Sequence, residues 1–196
     1  MSYVGVGVSP GNVPVYSNLK VIEKRVRFGE LVLRFMICAF ATVSALLVGT
    51  DSQVKEIFTI RKEAKFTDMK ALVFMVIVNG IAAAYSVAQV VRCVLSVVRG
   101  NVLLNKPLAW AIFSGDQVMA YLSVAAVAAA AESAALAKLG QAEVQWMKVC
   151  NMYAKYCNQI GEGIAAAVLL TISTMLLSAI SAFTLFRLYG HNKTNK

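Results

Sequence analysis

Two charged residues of opposite sign lie inside long apolar stretches of this chain. Arg34 is the single charge in the run from Leu31 to Thr50, and Asp116 is the single charge in the run from Leu108 to Ala131. A charge at the centre of a membrane helix costs about 2.5–3.5 kcal/mol on insertion, so opposite charges at one depth offset each other. The planar donor fork of arginine also fits a carboxylate with two parallel bonds. We therefore predict an intramembrane pair between Arg34 and Asp116.

The same carboxylate suggests an alternative function. Intramembrane ionisable groups often mark proton or ion pathways, so a small transporter or channel subunit using Asp116 is the competing interpretation. A pathway usually also has broken spans or several polar residues in line, and beyond Asn79 and Gln89 the spans offer few. Glu30 competes for the arginine, because it lies four residues earlier on the same helix face. The sequence favours structural pairing and leaves transport open.

Other kinds of chemistry lack the necessary residues. His191 is the only histidine, so neither a histidine-based zinc site nor a histidine-containing catalytic triad can be built. The Gly5-Val6-Gly7 segment is not followed by the lysine of a phosphate-binding loop. We therefore expect a protein that is not an enzyme and that uses no metal or cofactor.

Four membrane-spanning helices must position the two charges. Each apolar run has about 20 residues or more, and a helix rising ~1.5 Å per residue crosses a ~30 Å hydrocarbon core in that length. Hydrophobic residues make up 59% of the 196 residues and charged residues 15%, so four such runs cannot share one soluble core. We predict an all-α fold, a membrane four-helix bundle over residues 29–186, with spans at about 29–50, 70–91, 108–131 and 163–186.

The segments outside the spans set the predicted orientation. Residues 1–28 are predicted to form a disordered cytoplasmic tail, because they include a Gly-, Val-, Pro- and Ser-rich stretch without amphipathic period, and residues 187–196 form a second cytoplasmic tail. The tails and the middle loop carry ten Lys or Arg, against eight in the other two loops. The positive-inside rule therefore places both termini in the cytoplasm, by a thin margin. The sequon at Asn192 would then stay unglycosylated.

The formal net charge of +9 is distributed in the manner of a membrane protein. The basic residues gather at the ends of the spans, and no nucleic-acid recognition motif accompanies them. We therefore expect membrane lipid, and no nucleic acid, among the partners.

Cys150 and Cys157 lie in the loop before the last span, on the oxidising side in the predicted orientation. If this stretch were helical, seven residues would separate the two by ~10 Å, which is too far for a disulfide. A bond between them therefore requires a bent loop. We treat the pair as a candidate disulfide that depends on such a bend.

A face of small residues runs along the last span. Gly163, Ala167 and Thr171 recur every fourth residue, and this spacing lets two helices approach closely. The face serves either the bundle itself or a contact with a second copy of the chain. We slightly favour the bundle, since four packed helices need small residues between their own spans first.

Three segments together resemble a known family. An arginine in LVLRFMICAF, an aspartate in WAIFSGDQVMAYL and paired cysteines in CNMYAKYC occur in a chain with four spans and short tails. This combination resembles the plant Casparian strip membrane domain proteins and their CASP-like relatives. The resemblance covers about Arg27 to Tyr189, and four-span MARVEL proteins share the arginine and aspartate layout.

The resemblance implies a plasma-membrane protein that forms homodimers, heterodimers or larger assemblies with related four-span proteins. The resemblance also implies a scaffold role, which in the founder members of the family means the recruitment of wall-modifying enzymes. The first outer loop, TDSQVKEIFTIRKEAKFTDMKA, does not look like the short signature of the strip-forming members, so the CASP-like branch is the closer match. We therefore expect a membrane-domain scaffold, without extending the prediction to a Casparian strip.

Overall fold

The computed structural model describes residues 13–57, 60–99, 106–141, 143 and 147–190. Four long helices dominate it: α1 (Val13–Gly49), α2 (Lys70–Arg99), α3 (Lys106–Leu139) and α4 (Ala154–Gly190). A two-stranded hairpin, β1 (Ser52–Ile57) and β2 (Ile60–Lys65), lies between α1 and α2, and two 3-10 turns cover Phe66–Asp68 and Val149–Asn151. The predicted helical fold is confirmed. His191 and Asn192 lie outside the described residues.

Each helix contains a stretch that is long and apolar enough to cross a membrane, namely Arg25–Gly49, Lys70–Leu95, Pro107–Leu139 and Ala154–Phe186. Four spans were therefore predicted correctly, but the helices run beyond them. Helix α3 continues past Ala131 to Leu139, and α4 begins at Ala154 rather than at Gly163. The extension of α3 consists largely of alanine, leucine, lysine and glutamate, which are strong helix formers.

The N-terminal tail is helical over much of its length, in contrast to the predicted disorder. Helix α1 starts at Val13, so residues 13–28 form its first turns, while residues 1–12 lie outside the described ones. Pro14 falls in the first turn, where its missing N–H breaks no helical bond, and no further Gly or Pro occurs before Gly29. A helix nucleated by the span can therefore propagate toward the N-terminus.

The four helices form a closed ring, in which α1 packs against α2 and α4, and α3 packs against the same two helices. Helix direction alternates along the chain, so the hairpin and the connection from α3 to α4 share one end of the bundle. We call this the hairpin end. The start of α1 and the end of α4 lie at the opposite end of the bundle, which we call the terminal end.

The interior contains two apolar clusters and several polar residues. The cluster toward the hairpin end includes Val48, Leu72, Met75, Ala130, Tyr156 and Ala167, and the cluster toward the terminal end includes Ile37, Ala41, Ala82, Met119, Leu170 and Leu177. The buried polar residues include Arg34, Ser44, Asn79, Ser86, Asp116 and Ser123. Large apolar side chains meanwhile cover the outside of the bundle, as expected where lipid is the solvent.

The hairpin adds a feature that the sequence did not predict. Its strands pair antiparallel, with Ser52 opposite Lys65. The side chain of Gln53 fastens it to the bundle, because its Oε1 accepts the backbone N–H of Tyr156 at 3.1 Å. This N–H lies in the first turn of α4, where no helical carbonyl is available as an acceptor. The hairpin therefore caps the start of α4.

Candidate functional site: a buried charge cluster

The structure places Arg34 and Asp116 side by side in the interior. Arg34 Nη1 donates to Asp116 Oδ1 at 3.4 Å, and Nη2 donates to Oδ2 at 3.2 Å. The two side chains are 0% and 1% exposed. Two parallel bonds between a guanidinium and a carboxylate are the arrangement that best offsets the cost of removing both charges from water.

Glu30 shares the guanidinium with Asp116. Its Oε1 accepts from Arg34 Nε at 3.2 Å and from Nη2 at 3.0 Å. Glu30 lies one helical turn before Arg34, and its side chain is 25% exposed. The competitor named from the sequence therefore binds the arginine alongside Asp116 and does not displace it.

Two further side chains complete the hydrogen bonding of Asp116. Tyr85 Oη donates to Oδ1 at 2.9 Å, and Ser181 Oγ donates to Oδ2 at 2.5 Å. The guanidinium carbon of Arg34 also lies 6.0 Å from the centre of the Tyr85 ring. Arg34 belongs to α1, Tyr85 to α2, Asp116 to α3 and Ser181 to α4. This charge cluster therefore joins all four helices at one level.

Neither Tyr85 nor Ser181 was predicted as a site residue. The available signal was a hydroxyl inside an otherwise apolar span, because a polar group at that depth needs a partner. Such a hydroxyl can also bond to its own helix, as Ser123 Oγ does to the carbonyl of Met119 at 2.8 Å. Only the packing of the helices decides which hydroxyls reach the carboxylate.

Gly115 makes room for the Tyr85 hydroxyl beside Asp116. A Cβ atom at Gly115 would lie 2.8 Å from Tyr85 Oη and 3.2 Å from Cζ. The glycine that precedes the aspartate therefore lets the phenol approach α3 closely enough to reach the carboxylate.

Little free space adjoins the charge cluster. The neighbouring cavity leaves about 10 Å³ for the centre of a water molecule, and its lining is Ile37, Ala82, Tyr85, Ser86, Asp116, Met119, Thr174 and Leu177. That volume is at the limit of what holds a single water. The lining is mostly apolar, so the cavity offers Asp116 little hydration.

The chemistry of this arrangement is that of a saturated ion pair. Asp116 accepts four hydrogen bonds, two from Arg34 and one each from Tyr85 and Ser181. A carboxylate has about four lone-pair sites, so its accepting capacity is used by the protein itself. Within the described residues, no group of three or more His, Cys, Asp or Glu is placed to hold a metal ion.

A second polar contact joins α1, α2 and α4 nearer the hairpin end. Asn79 Nδ2 donates to Ser44 Oγ at 2.8 Å, and Ser44 Oγ donates to the carbonyl of Gly163 at 2.7 Å. Asn79 and Ser44 are 1% and 0% exposed. The polar Asn79 noted in the sequence is thus held by a neighbouring helix.

The small-residue face of α4 packs mainly inside the bundle. A Cβ atom at Gly163 would lie 2.5 Å from Val48 Cγ2, so the two helices touch there. Ala167 is 0% exposed. Thr171 is half-buried and donates its hydroxyl to the carbonyl of Ala167 at 2.8 Å. The structure places Gly163 and Ala167 between α4 and its neighbours in the same chain.

Cys150 and Cys157 are joined by a disulfide, with their Cα atoms 5.6 Å apart. The chain bends between them, because a 3-10 turn covers Val149–Asn151 and α4 starts only at Ala154. This is the bend that a disulfide between these two residues was predicted to require. The disulfide ties the first turn of α4 to the loop before it.

Asp51 is a second buried carboxylate, at the hairpin end. It is 6% exposed, and its Oδ2 has no hydrogen-bond partner within the described part of the chain. Burial raises the pKa of this carboxyl, whereas the positive charge of Lys155 opposes the rise. Nothing in the local sequence indicated that Asp51 would be buried.

Comparisons with known proteins place the chain in a family. The family model described as the Casparian strip membrane protein domain matches residues 23–176. CASP-like protein 2B1 of Ricinus communis is 72% identical over 195 residues, and CASP-like protein 2B2 of Populus trichocarpa is 68% identical over 195 residues; each match covers 98% of this chain and 96% of the relative. CASP-like protein 2B2 of Arabidopsis thaliana is 62% identical, over 99% of this chain and 97% of the relative. No solved structure matches the chain. The resemblance carried by the arginine, the aspartate and the paired cysteines is therefore confirmed, and this chain belongs to the CASP-like proteins of the Casparian strip membrane protein domain family.

Proposed function

We propose that this chain is a non-enzymatic scaffold of the plasma membrane, which assembles laterally with copies of itself or with related four-span proteins. The observation that supports a structural role is the closed charge cluster, in which the carboxylate of Asp116 accepts hydrogen bonds from side chains of all three other helices. The lateral assembly is what the resemblance to the Casparian strip membrane domain proteins implies.

A scaffold needs a bundle of fixed shape, and lipid makes this hard to achieve. Lipid tails are as apolar as leucine, so burial of apolar side chains gives little drive for helices to associate in a bilayer. Close packing and polar contacts between helices supply the stability instead. The charge cluster and the contact between Asn79 and Ser44 are two such polar contacts. In the proposed function they hold the outer faces of the four helices in constant positions.

We further propose that the hairpin end faces the outside of the cell and that both termini are cytoplasmic. The disulfide between Cys150 and Cys157 supports this orientation, since disulfides persist on the oxidising side of a membrane. The distribution of lysine and arginine supports it as well. Asn192 would then remain unglycosylated.

Transport through Asp116 is the competing function. A pathway residue must exchange partners with a solute or with water during each cycle. Asp116 instead accepts hydrogen bonds from Arg34, Tyr85 and Ser181, and the adjoining cavity has room for a single water at most. These features support a structural role for the aspartate.

Lateral exchange of the fluorescently tagged chain in the plasma membrane tests the proposal. A scaffold predicts clusters that recover slowly after photobleaching, whereas a tagged single-span protein in the same membrane recovers quickly. Proteoliposomes containing the purified chain or Asp116→Asn supply the second measurement. A dispersed and fast-diffusing chain, with solute flux that Asp116→Asn abolishes, would show that the chain is a transporter and not a scaffold.

A further inference from the structure

We propose that the lipid-facing side of α3 is the surface on which a second copy of this chain docks. The contact is a stripe formed by Trp110, Ser114, Gln117, Tyr121, Val124 and Ala128, which we call the α3 stripe. This inference rests on the proposed lateral assembly and deepens it by naming the partner and the surface.

The α3 stripe lies away from the core-facing side of α3. The core side is marked by Asp116 and Ser123, which are 2% and 1% exposed. At roughly 100° per residue, Gln117 and Tyr121 fall about 100–140° around the helix from Asp116. Tyr121 is 74% exposed, Ser114 is exposed and Gln117 is half-buried. Ser114 and Tyr121 therefore face away from the other three helices, and Gln117 lies at the edge of this outer surface.

The stripe lies at the depth of the hydrocarbon. Ser181 touches Asp116 and so fixes which part of α4 lies at that level. Tyr121 lies five residues closer to the hairpin end, roughly 7.5 Å along the helix, and the antiparallel α4 brings Leu176 to the same height. Leu176 is 53% exposed, and exposed apolar side chains continue to Val168 on one side and to Phe186 on the other. Tyr121 is therefore in the middle of an apolar belt.

Gln117 and Tyr121 have no hydrogen-bond partner among the described residues. A polar side chain among lipid tails finds no hydrogen-bond partner there, so bonding to another protein helix lowers its free energy. Thr42 on α1 shows the contrast, since it is also exposed but donates its hydroxyl to the carbonyl of Cys38 at 2.7 Å. The amide of Gln117 and the hydroxyl of Tyr121 therefore call for a partner outside this chain.

Lipid alone suits the exposed faces of α2 and α4. From Phe74 to Leu95, the exposed positions of α2 are apolar or glycine, and the exposed positions of α4 from Val168 to Phe186 are apolar. The α3 stripe differs, because it places an exposed phenol and a half-buried amide at that depth, whereas the half-buried amide of Gln89 on α2 already accepts a hydrogen bond from Arg92. This difference selects α3 as the docking surface.

The spacing of the stripe fits a parallel helix pair. Its members follow one another by alternating steps of four and three residues, which is the repeat of a left-handed coiled-coil seam. Two copies in one membrane have the same orientation, so a twofold axis along the membrane normal brings each seam residue close to its own counterpart.

The polar members of the stripe are self-complementary. A glutamine amide carries both donors and an acceptor, and a phenol can donate and accept. Gln117 can therefore bond reciprocally to Gln117 of the second copy, and Tyr121 can do the same. This property favours a second copy of the chain over a lipid as the occupant.

Cysteine cross-linking locates the surface. In a background with Cys38→Ser and Cys93→Ser, single replacements Ser114→Cys and Ala128→Cys place a thiol on the stripe. Ala84→Cys on α2 and Ile172→Cys on α4 are matched controls, since both positions are exposed. We expect cross-linked dimers from the two α3 positions in liposomes and not from the controls.

Dimer dissociation in bilayers of decreasing protein density tests the polar contacts. Gln117→Leu should weaken dimerisation about tenfold, because interhelical hydrogen bonds in membranes contribute on that order. Thr42→Val is the matched control and should leave dimerisation unchanged, since its hydroxyl already bonds within its own helix.

The outcomes separate this inference from the proposed function. Cross-linking at Ala84→Cys or Ile172→Cys alone, or a Gln117→Leu chain that dimerises like the parent, would overturn the α3 stripe while leaving lateral assembly intact. A folded chain that is monomeric at every density would overturn the α3 stripe and self-assembly, and would leave assembly with related four-span proteins as the only form of the proposed function. Cross-linking confined to α3, together with weaker dimers in Gln117→Leu, supports the stripe.

Discussion

Asp116 is the residue on which the interior of the bundle depends, because each of the other three helices donates a hydrogen bond to its carboxylate. In a low-dielectric interior, such a shared acceptor couples its donors, so the loss of one partner also leaves the others badly paired. Arg34 has a similar role on the donor side, since its guanidinium binds Asp116 and Glu30 at once. The cluster therefore stabilises the bundle through its complete set of hydrogen bonds more than through any single one.

Removing one member of the ion pair should be costly. Arg34→Ala or Asp116→Ala leaves a buried charge without its partner, and we expect a loss of about 3–5 kcal/mol in the free energy of unfolding. Thermal stability in detergent and delivery to the cell surface report this loss, with Lys148→Ala as an exposed control. Exchanging the two residues should restore part of the stability. Normal trafficking and stability of both single variants would show that the pair is dispensable.

Gly115 offers a test of the tyrosine. Gly115→Ala places a Cβ against Tyr85 Oη, and such overpacking typically costs about 1–3 kcal/mol. Tyr85→Phe removes the hydroxyl that would clash, so the double variant should lose less stability than the two single variants together. The measurement is a double-mutant cycle of thermal stability. Strictly additive losses would mean that Gly115 and Tyr85 act independently.

Asp51 should make stability depend on pH. Its pKa is raised in the folded protein, so the folded state holds the proton more tightly than the unfolded state does. Stability from this group is therefore present at low pH and is lost as the pH rises through the folded pKa. Asp51→Asn should raise the melting temperature at neutral pH, and the advantage should shrink as the pH falls. An advantage of equal size at acid and neutral pH would contradict this account.

At the scale of elements, the contact between α1 and α4 depends on a glycine. Gly163→Ala brings a Cβ to 2.5 Å from Val48 Cγ2, so we expect a loss of about 1–3 kcal/mol. Gly161 on the same helix has no atom within 4 Å of its Cβ position, and Gly161→Ala should leave stability unchanged or raise it by about 1 kcal/mol, given the helix propensity of alanine. Melting temperatures of the two variants in one detergent decide the question. Equal melting temperatures for the two variants would contradict a close contact between Gly163 and Val48.

The spans and the ion pair were predictable because lipid imposes simple rules on sequence. About 20 apolar residues must form a helix, and charges of opposite sign at similar depth lower each other's cost. The rest of the charge cluster depends on helix rotation, which apolar spans do not encode strongly, since many apolar faces are interchangeable. Tyr85 and Ser181 therefore became recognisable only once the four helices were packed.

The elements outside the bilayer were harder to predict. The strands of the hairpin carry charged residues, and the dipeptide Phe58-Thr59 between them is not one of the Asn-Gly or Asp-Gly sequences typical of two-residue turns. The helical start of α1 was not predicted, because its composition is mixed and a short polar segment forms a helix only when the helix of the adjoining span continues into it. In both places, tertiary or neighbouring structure outweighs the local pattern.

At the scale of the whole molecule, the four helices bury an ion pair and several other polar groups in an otherwise apolar core and expose large apolar side chains on their outer faces. This arrangement suits a bundle whose interior contacts hold its shape while its outer faces meet lipid or other proteins. The closed charge cluster belongs to the first task, and in our proposals the α3 stripe belongs to the second. The two can be separated, because Asp116 is buried in the core while Gln117, the next residue, lies about 100° around α3 and is half-buried at the edge of the outer surface.

The mass of the intact chain extracted in mild detergent tests the central claim of lateral assembly most directly. Native mass measurement of the full-length protein, over a range of concentrations, should yield particles containing two or more copies of the chain, alone or with related four-span proteins. Folded particles that contain a single copy and no other four-span protein at every concentration would contradict the account.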